Sequence, residues 1–176
     1  MNRYASFWER LLANLIDACI LLFLSIAATF LAIASERGWF VVHAFAIAAD
    51  LSYPIVMHAK YGQTVGKRIL RIQLRRVSGE SITWMHALLR SSVDVAIAAA
   101  HLWIILFAAI DGSIRVSPET TIKELGLSFG AVKGARLIRQ IGSAWTWSEI
   151  ASVLLRKDRR ALHDLLAGTI VVKVPR

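Results

Sequence analysis

Three long apolar stretches constrain this sequence more than any other feature, because a soluble domain of this size has too little interior to hide them. They cover residues 11–34, 39–57 and 93–110, and each has 18 to 24 residues. At a rise of 1.5 Å per residue, a helix of this length crosses a hydrocarbon core of about 30 Å. With 56% hydrophobic residues in a chain of 176, we expect a membrane protein.

A fourth apolar stretch, residues 142–155, is weaker than the other three. It contains Glu149 and covers only about 21 Å as a helix, which predicts a short, tilted or re-entrant segment. The fold class that follows is mainly α. We expect a polytopic transmembrane helical bundle with three strong spans, a weak fourth, and a small cytoplasmic β element, all in a single domain over residues 1–176.

Charge placement predicts the orientation of these spans. The loop over residues 58–92 carries seven Lys and Arg against one acid, and the positive-inside rule therefore places it in the cytoplasm. If residues 142–155 cross the bilayer as well, 15 of the 21 basic residues lie inside, whereas without that crossing most of them lie outside. We therefore expect both termini in the cytoplasm and an extracytoplasmic excursion over residues 113–140.

The basic loop and the C-terminal tail both carry strand patterns. Thr64 to Ile69 predicts a short helical turn, and "RILRIQLRRV" then alternates apolar and polar residues with the period of a half-buried strand. After the turn "SGES", Ser81 is a candidate N-cap for the helix that leads into the third span. The tail segment "GTIVVKV" is β-branched and predicts a second strand. We expect the two strands to pair, because each then covers the other's edge.

Three motifs together resemble one protein family. They are "SFWERLLANLID" at the first span, "YGQTVGKRILRIQL" in the basic loop and "RRALHDLLAGTIVV" near the end. This combination resembles the RDD family of small bacterial membrane proteins, which is named for one Arg and two Asp. The resemblance covers residues 5–111 and 150–174.

The resemblance implies a role for particular positions. Arg10 matches the family's Arg and Asp17 its first Asp, while Asp164 is favoured over Asp94 as the second. The bacterial inner membrane is the implied location. Transport is the implied activity, with cation/proton exchange in some members. The matching cytoplasmic motif residues are Gly62, Gly66, Lys67, Arg160, Asp164 and Gly168.

Arg10 and Asp17 share one face of the first span, with Asn14 between them. A carboxylate at the centre of a span costs about 2.5–3.5 kcal/mol on insertion scales, so Asp17 needs a partner. We expect Arg10 to extend towards water at the cytoplasmic interface, and Asn14 or a residue of another helix to meet Asp17. Asp17 is then either a proton or cation site or a polar contact that fixes helix packing.

Further ion-site candidates lie in the second and third spans. Asp50 precedes Pro54 by four residues, so the proline leaves the Asp50 carbonyl without its helical hydrogen bond. Carboxylate and carbonyl oxygens would then converge on a cation; the alternative is a simple bend. Asp94 follows Arg90 by four residues, which predicts an ion pair on one helix face. His101 lies deeper and is either a packed residue or a proton relay.

Other classes of protein fit the sequence poorly. "GQTVGKR" has three rather than four residues between its glycines, and no HExxH motif occurs. Cys19 is the one cysteine, so neither a disulfide framework nor a zinc cluster is available. The most basic part of this loop, Lys67 to Arg76, lacks interleaved aromatic residues. We therefore expect no enzymatic activity, no cofactor, no metal and no nucleic-acid partner.

The hypothesis that best fits these observations is transport of a small ion, a monovalent cation or a proton, or of another ligand. About four helices hardly enclose a pathway alone, so we expect a homo-oligomer or a membrane partner subunit. The basic inner face predicts contact with anionic lipid head groups. The alternative is a membrane scaffold or accessory subunit that organises a partner complex.

Overall fold

The computed structural model describes residues 4–32, 38–113, 132 and 134–174. These residues are mainly helical and include one two-stranded sheet, so the predicted fold class of helices with a small β element is confirmed. In chain order the elements are α1 Phe7–Ala32, α2 Gly38–Tyr61, α3 Val65–Ile69, β1 Ile72–Arg76, α4 Trp84–Ile110, α5 Ala135–Leu155, α6 Leu162–Leu166 and β2 Thr169–Lys173.

Two of the described helices are long and apolar enough to cross a membrane. They are α1 over Phe7–Ala27 and α4 over Trp84–Ala108. Large apolar side chains such as Phe23, Trp103 and Phe107 are exposed on them, as expected for a surface that faces lipid. The bundle of three or four spans stays a prediction.

Helix α1 begins at a capping box. The Ser6 hydroxyl accepts a hydrogen bond from the Glu9 amide at 3.2 Å, and the Glu9 carboxylate accepts one from the Ser6 amide at 2.8 Å. This reciprocal pair satisfies two amides at the start of the helix. It fixes the residue at which α1 begins, and therefore how far from the start of the helix Arg10 and Asp17 lie.

The segment over residues 142–155 is not a short helix. It is the C-terminal part of α5, which begins at Ala135 after Gly134 in the left-handed region. The helix has 21 residues, or about 31 Å of length, so the prediction of a short segment was wrong. The last residues of the proposed excursion therefore belong to this helix, and residues 114–131 of the excursion lie outside the described part of the chain.

The two strands pair as predicted. β1 and β2 run antiparallel, with Leu74 opposite Val171 and Ile72 opposite Lys173. Ile72, Leu74 and Val171 are buried together with Ala5 and Ala13 of the N-terminal segment. The sheet therefore joins the basic loop, the tail and the start of α1 into one small core.

The chain before α1 also reaches this sheet. Tyr4 forms an isolated antiparallel bridge with Val172, and the Ala5 amide donates to the Val171 carbonyl at 3.0 Å. Lys173 contacts Glu9 at 2.6 Å. The N-terminal residues and the tail of the described chain thus lie side by side.

The helix caps agree with the sequence in one case and differ in the other. Thr64 caps α3, where its hydroxyl accepts from the Lys67 amide, and this turn was predicted. The N-cap of α4 is Thr83 rather than the predicted Ser81. The reason is Ile82, which is buried in the core of the sheet, so the chain becomes helical only after that residue.

The helices pack in an order that brings the polar residues together. α2 contacts both α1 and α4, α5 contacts α4, and α3 lies against α1. The short helix α6 contacts α4, α5 and β2. The ends of α1, α2 and α4 nearest the sheet therefore surround α3 and α6.

Candidate functional site

Asp164 is the most buried charged residue of the described chain, with an exposure of 0%. Its carboxylate accepts hydrogen bonds from Arg10 at 2.8 Å and from Thr169 and the Ala161 amide at 3.2 Å each, and Arg90 forms a second ion pair with it. Two guanidinium groups and two further donors therefore surround this carboxylate in place of water. One side chain therefore ties α1, α4 and the tail together.

These ion pairs correct two predictions. Arg10 does not extend into water, because it is 8% exposed and donates to Asp164. Arg90 does not pair with Asp94 one turn away, since Asp164 takes its guanidinium. Asp94 instead accepts a hydrogen bond from the Trp145 indole at 3.1 Å. Arg10 thus pairs with a residue distant in sequence instead of contacting water, and Arg90 pairs with the same distant residue instead of Asp94.

Asp17 holds a second polar contact, between α1, α2 and α3. One carboxylate oxygen accepts from the Tyr53 hydroxyl and the Gly66 amide, both at 2.8 Å, and the other accepts from the Thr64 hydroxyl at 2.6 Å. The partners come from other elements, as one of the two expectations for Asp17 stated, whereas Asn14 is exposed. Three hydrogen-bond donors therefore surround this buried carboxylate.

Gly66 makes this arrangement possible. A Cβ atom at this position would lie 2.1 Å from the Ala13 carbonyl oxygen, which is far inside van der Waals contact. Only glycine therefore allows α3 to approach α1 closely enough for the Gly66 amide to reach Asp17.

A groove of about 580 Å³ runs between α1 and α2 above this contact. Its apolar walls include Ala18, Leu21 and Pro54. Polar and charged side chains of α1, α2 and the start of α3 complete the lining: Asn14, Asp17, Ser25, Asp50, Tyr53, Thr64 and Lys67.

Among the described residues, Lys67 is the one basic side chain that lines this groove. It is 5% exposed and forms no salt bridge within the part of the chain that the structure describes. Burial and the positive charge of Arg90 lower the pKa of Lys67 to about 7, with Arg10 adding to this effect and Asp17 opposing it. A lysine in this state exchanges its proton near neutral pH.

An arginine on the first span that pairs with an aspartate of the tail, and a second aspartate deep in the same span, fit the resemblance seen in the sequence. Comparison with known families shows a match to the RDD family over residues 4–168, nearly the whole chain. The chain belongs to the RDD family. No curated protein matches it.

In this RDD protein the two candidates for the family's second Asp have different partners. Asp164 contacts Arg10, the Arg that the family is named for, whereas Asp94 lies elsewhere. The second Asp favoured from the sequence is therefore the one that meets the Arg. The apolar helices and the family match together support a membrane protein.

Asp94 and His101 line a different cavity of the RDD chain. It has a volume of about 450 Å³ between α4 and α5, and Arg139 and Trp145 also line it. The structure thus brings Asp17 and Asp50 to one groove and leaves the two α4 candidates in another place.

The remaining motif residues hold the loop and tail in position. Arg160 donates to the carbonyls of Thr169 and Asp164, both at 3.1 Å. Gly62 and Gly168 adopt left-handed backbone conformations at turns that lead to the sheet. The Gly62 carbonyl accepts from the Leu74 amide at 2.8 Å.

Sequence reasoning missed one polar pair. His163 contacts the Glu149 carboxylate through its imidazole Nδ1 and through its backbone amide, the latter at 2.8 Å. Burial, then the positive charges of Arg90, Lys67 and Arg10, lower the pKa of His163 well below its ordinary value. The neutral ring therefore donates its Nδ1 proton to Glu149. Glu149 is an acidic residue within an apolar stretch, and this feature of the sequence could have indicated the pair.

No metal centre is evident in the described ranges, where no group of three or more His, Cys, Asp or Glu side chains is placed to hold an ion. Cys19 is a free, exposed thiol. The two polar contacts and the groove present carboxylates, hydroxyls, guanidinium groups and one lysine.

Proposed function

We propose that this RDD protein is an integral protein of the bacterial inner membrane that transports a small monovalent cation or a proton. The observation that carries the proposal is the groove between α1 and α2, where α2, the predicted second span, presents Asp50 beside a polar lining. Ionisable residues within membrane helices are costly and are retained at ion or proton pathways.

Asp50 is the residue to which we assign the ion. It is exposed to the groove, and its side chain makes no salt bridge with another described residue. Asp17 differs, because its two oxygens already accept three hydrogen bonds. We therefore assign to Asp17 the role of holding α3 at the inner end of the groove.

The orientation that we propose places the sheet in the cytoplasm. The bridge between Tyr4 and Val172 supports a common side for the two ends of the described chain, and the basic loop supports the cytoplasmic side. Exposed basic residues such as Arg68 and Arg71 then face anionic lipid head groups, for which we propose an attractive contact.

A single chain leaves the groove open along one side, and large apolar residues of α1 such as Leu22 and Phe23 stay exposed. We propose that a second copy or a membrane partner subunit completes the pathway. Cross-linking of the protein in native membranes tests this association.

Flux measurement in proteoliposomes tests the transport proposal. A pH gradient is imposed across vesicles that contain the purified protein, and Na⁺ or K⁺ movement is followed with an entrapped dye. We expect flux with the wild-type protein and its loss in Asp50→Asn. The matched control is Asp94→Asn, which removes a carboxylate from the other cavity and leaves flux unchanged. Absence of flux in folded wild-type protein, or full flux in Asp50→Asn, contradicts transport through this groove.

The scaffold alternative has its own observation, since Asp17 and Asp164 together connect α1, α2, α3, α4 and the tail. A protein whose role is to present a fixed cytoplasmic face to a partner needs this rigidity and no pathway. Under this alternative, Asp50→Asn keeps all cellular activity, whereas Asp17→Asn loses both the fold of the loop and the partner complex.

A further inference from the structure

We propose that Lys67 couples ion binding to proton release: its ammonium group is the cation of the groove when no ion is bound, and it releases one proton to cytoplasmic water when a monovalent cation binds at Asp50. This inference rests on the proposed function and deepens it, because it names the residue that makes the transport an exchange. No ion pair joins Lys67 to Asp50 in the described chain.

The backbone of α3 holds Lys67 at the inner end of the groove. The Thr64 hydroxyl caps the helix and donates to Asp17, and the Gly66 amide, one residue before Lys67, donates to the same carboxylate. Gly66 packs directly on α1. These contacts fix α3, so the Lys67 side chain has little freedom to leave the groove for water. Its exposed fraction is 5%.

The charged groups around Lys67 explain why Lys67, and not one of its neighbours, changes its protonation state. Lys67 interacts electrostatically with Arg10 and Asp17 of α1 and with Arg90 of α4, and also with His58 of α2 and His163 of α6. Arginine keeps its proton in proteins, and both guanidinium groups are paired with Asp164.

The carboxylate that faces Lys67 compensates its charge only in part. Asp17 already accepts hydrogen bonds from Tyr53, Thr64 and Gly66. Burial with two arginines therefore leaves the ammonium of Lys67 poised to lose its proton, in agreement with its pKa of about 7.

A bound cation at Asp50 and the ammonium group of Lys67 repel each other, because both residues line the same groove. Each therefore weakens the binding of the other by the same factor, as linkage requires. The proton leaves from Nζ, the amine stays neutral while the ion is bound, and the ammonium group forms again when the ion departs. One positive charge enters the groove as one leaves, so the exchange is one for one.

The test uses purified wild-type protein in detergent in weakly buffered solution, with a pH-indicator dye and NaCl as the probe against choline chloride. We expect Na⁺ to release protons in a saturable way at pH 7. The apparent dissociation constant for Na⁺ should rise about tenfold from pH 8 to pH 6, as expected for competition with a group of pKa near 7.

Two variants separate the role of Lys67 from that of other groups. In Lys67→Gln we expect Na⁺ binding that no longer depends on pH and releases no protons. In Lys67→Arg, which keeps its charge, we expect weak binding at every pH and again no proton release. The matched control is Lys60→Gln, which removes an exposed lysine of α2 and should release protons as the wild type does.

The results distinguish this inference from the function beneath it. If the wild type binds no Na⁺, K⁺ or Li⁺, both the transport proposal and the role of Lys67 are wrong. If the wild type binds the ion but proton release is absent, or persists unchanged in both Lys67 variants, the groove binds cations and Lys67 does not couple them to protons.

Discussion

Asp164 shows how much of this protein depends on single residues. Its carboxylate is fully buried and is shared by Arg10 and Arg90. Removing one partner of a buried ion pair leaves charge without compensation, which is more costly than loss of the attraction alone. The stability of the cytoplasmic end should therefore be far more sensitive to Asp164 than to acids at the surface.

Asp164→Asn should lower the free energy of unfolding by about 3–5 kcal/mol, because two guanidinium groups stay buried without a carboxylate. Thermal unfolding of the detergent-solubilised protein measures this. The control is Asp158→Asn, whose partner Arg156 is half-exposed, so its cost should stay within about 1 kcal/mol. Equal effects of the two substitutions would show that the buried network adds no stability.

Gly66→Ala should separate α3 from α1, because the new Cβ would lie 2.1 Å from a backbone oxygen of Ala13. Backbone atoms yield less readily than a side chain, so we expect the loss of the contact with Asp17 and early cleavage by trypsin at Arg68 and Arg71. Gly142→Ala is the control, since its Cβ meets only Ile97 at 3.8 Å. Trypsin resistance in Gly66→Ala equal to that of the control would contradict the close approach.

Lys67 should give stability a defined pH dependence. Its pKa is about 7 in the folded protein against an ordinary value of 10.5, so between these values the unfolded chain holds more protons and stability rises with pH. Lys67→Met removes this dependence and should be more stable than the wild type at pH 7. The difference in the free energy of unfolding between Lys67→Met and the wild type should narrow by about 2 kcal/mol between pH 7 and pH 9. Thermal unfolding between pH 7 and pH 9 measures this difference. A difference that stays constant over this range would contradict a pKa near 7 for Lys67.

At the level of elements, local patterns predicted most of what the structure contains. The alternation of Ile72 and Leu74 with polar residues predicted β1, and the β-branched tail predicted β2. Thr64 predicted the start of α3. These features succeed because periodicity and capping depend on neighbours in sequence.

Predictions at the ends of elements were less successful where burial intervened. The core position of Ile82 moved the start of α4 to Trp84, and α5 began seven residues before the apolar stretch that revealed it. Polar residues on the first turns of α5 hid its true length. A hydropathy pattern therefore identified the element and misjudged its extent.

The sheet should behave as the core of the cytoplasmic end. Leu74→Ala removes a side chain that is buried against Val171, and should cost about 2–5 kcal/mol. Arg75→Ala changes the opposite face of the same strand and should cost about 0.5 kcal/mol or less. Thermal unfolding of the two variants measures the difference, and similar losses would mean that the buried face is not the one that stabilises the sheet.

At the level of the whole molecule, the site depends on contacts that no local pattern contains. Arg90 lies 74 positions from Asp164, and Asp17 lies 49 from Gly66. Before the structure, an i,i+4 partner was the simplest assignment for Arg90, and it was wrong. The cost of charge in a membrane helix was enough to predict the residue types of the site. Which residues form ion pairs depends on the way the tail folds back between α1 and α4.

The position of the groove within a membrane underlies each proposal made for it. In a Cys19→Ser background, Ser78→Cys places a thiol in the exposed turn after β1, and Ser113→Cys places one after the far end of α4. A membrane-impermeant maleimide applied to intact cells should label the thiol at position 113 and reach the one at position 78 only after the membrane is permeabilised. Equal labelling of both thiols in intact cells would place the two ends of α4 on one side and contradict a membrane-spanning groove.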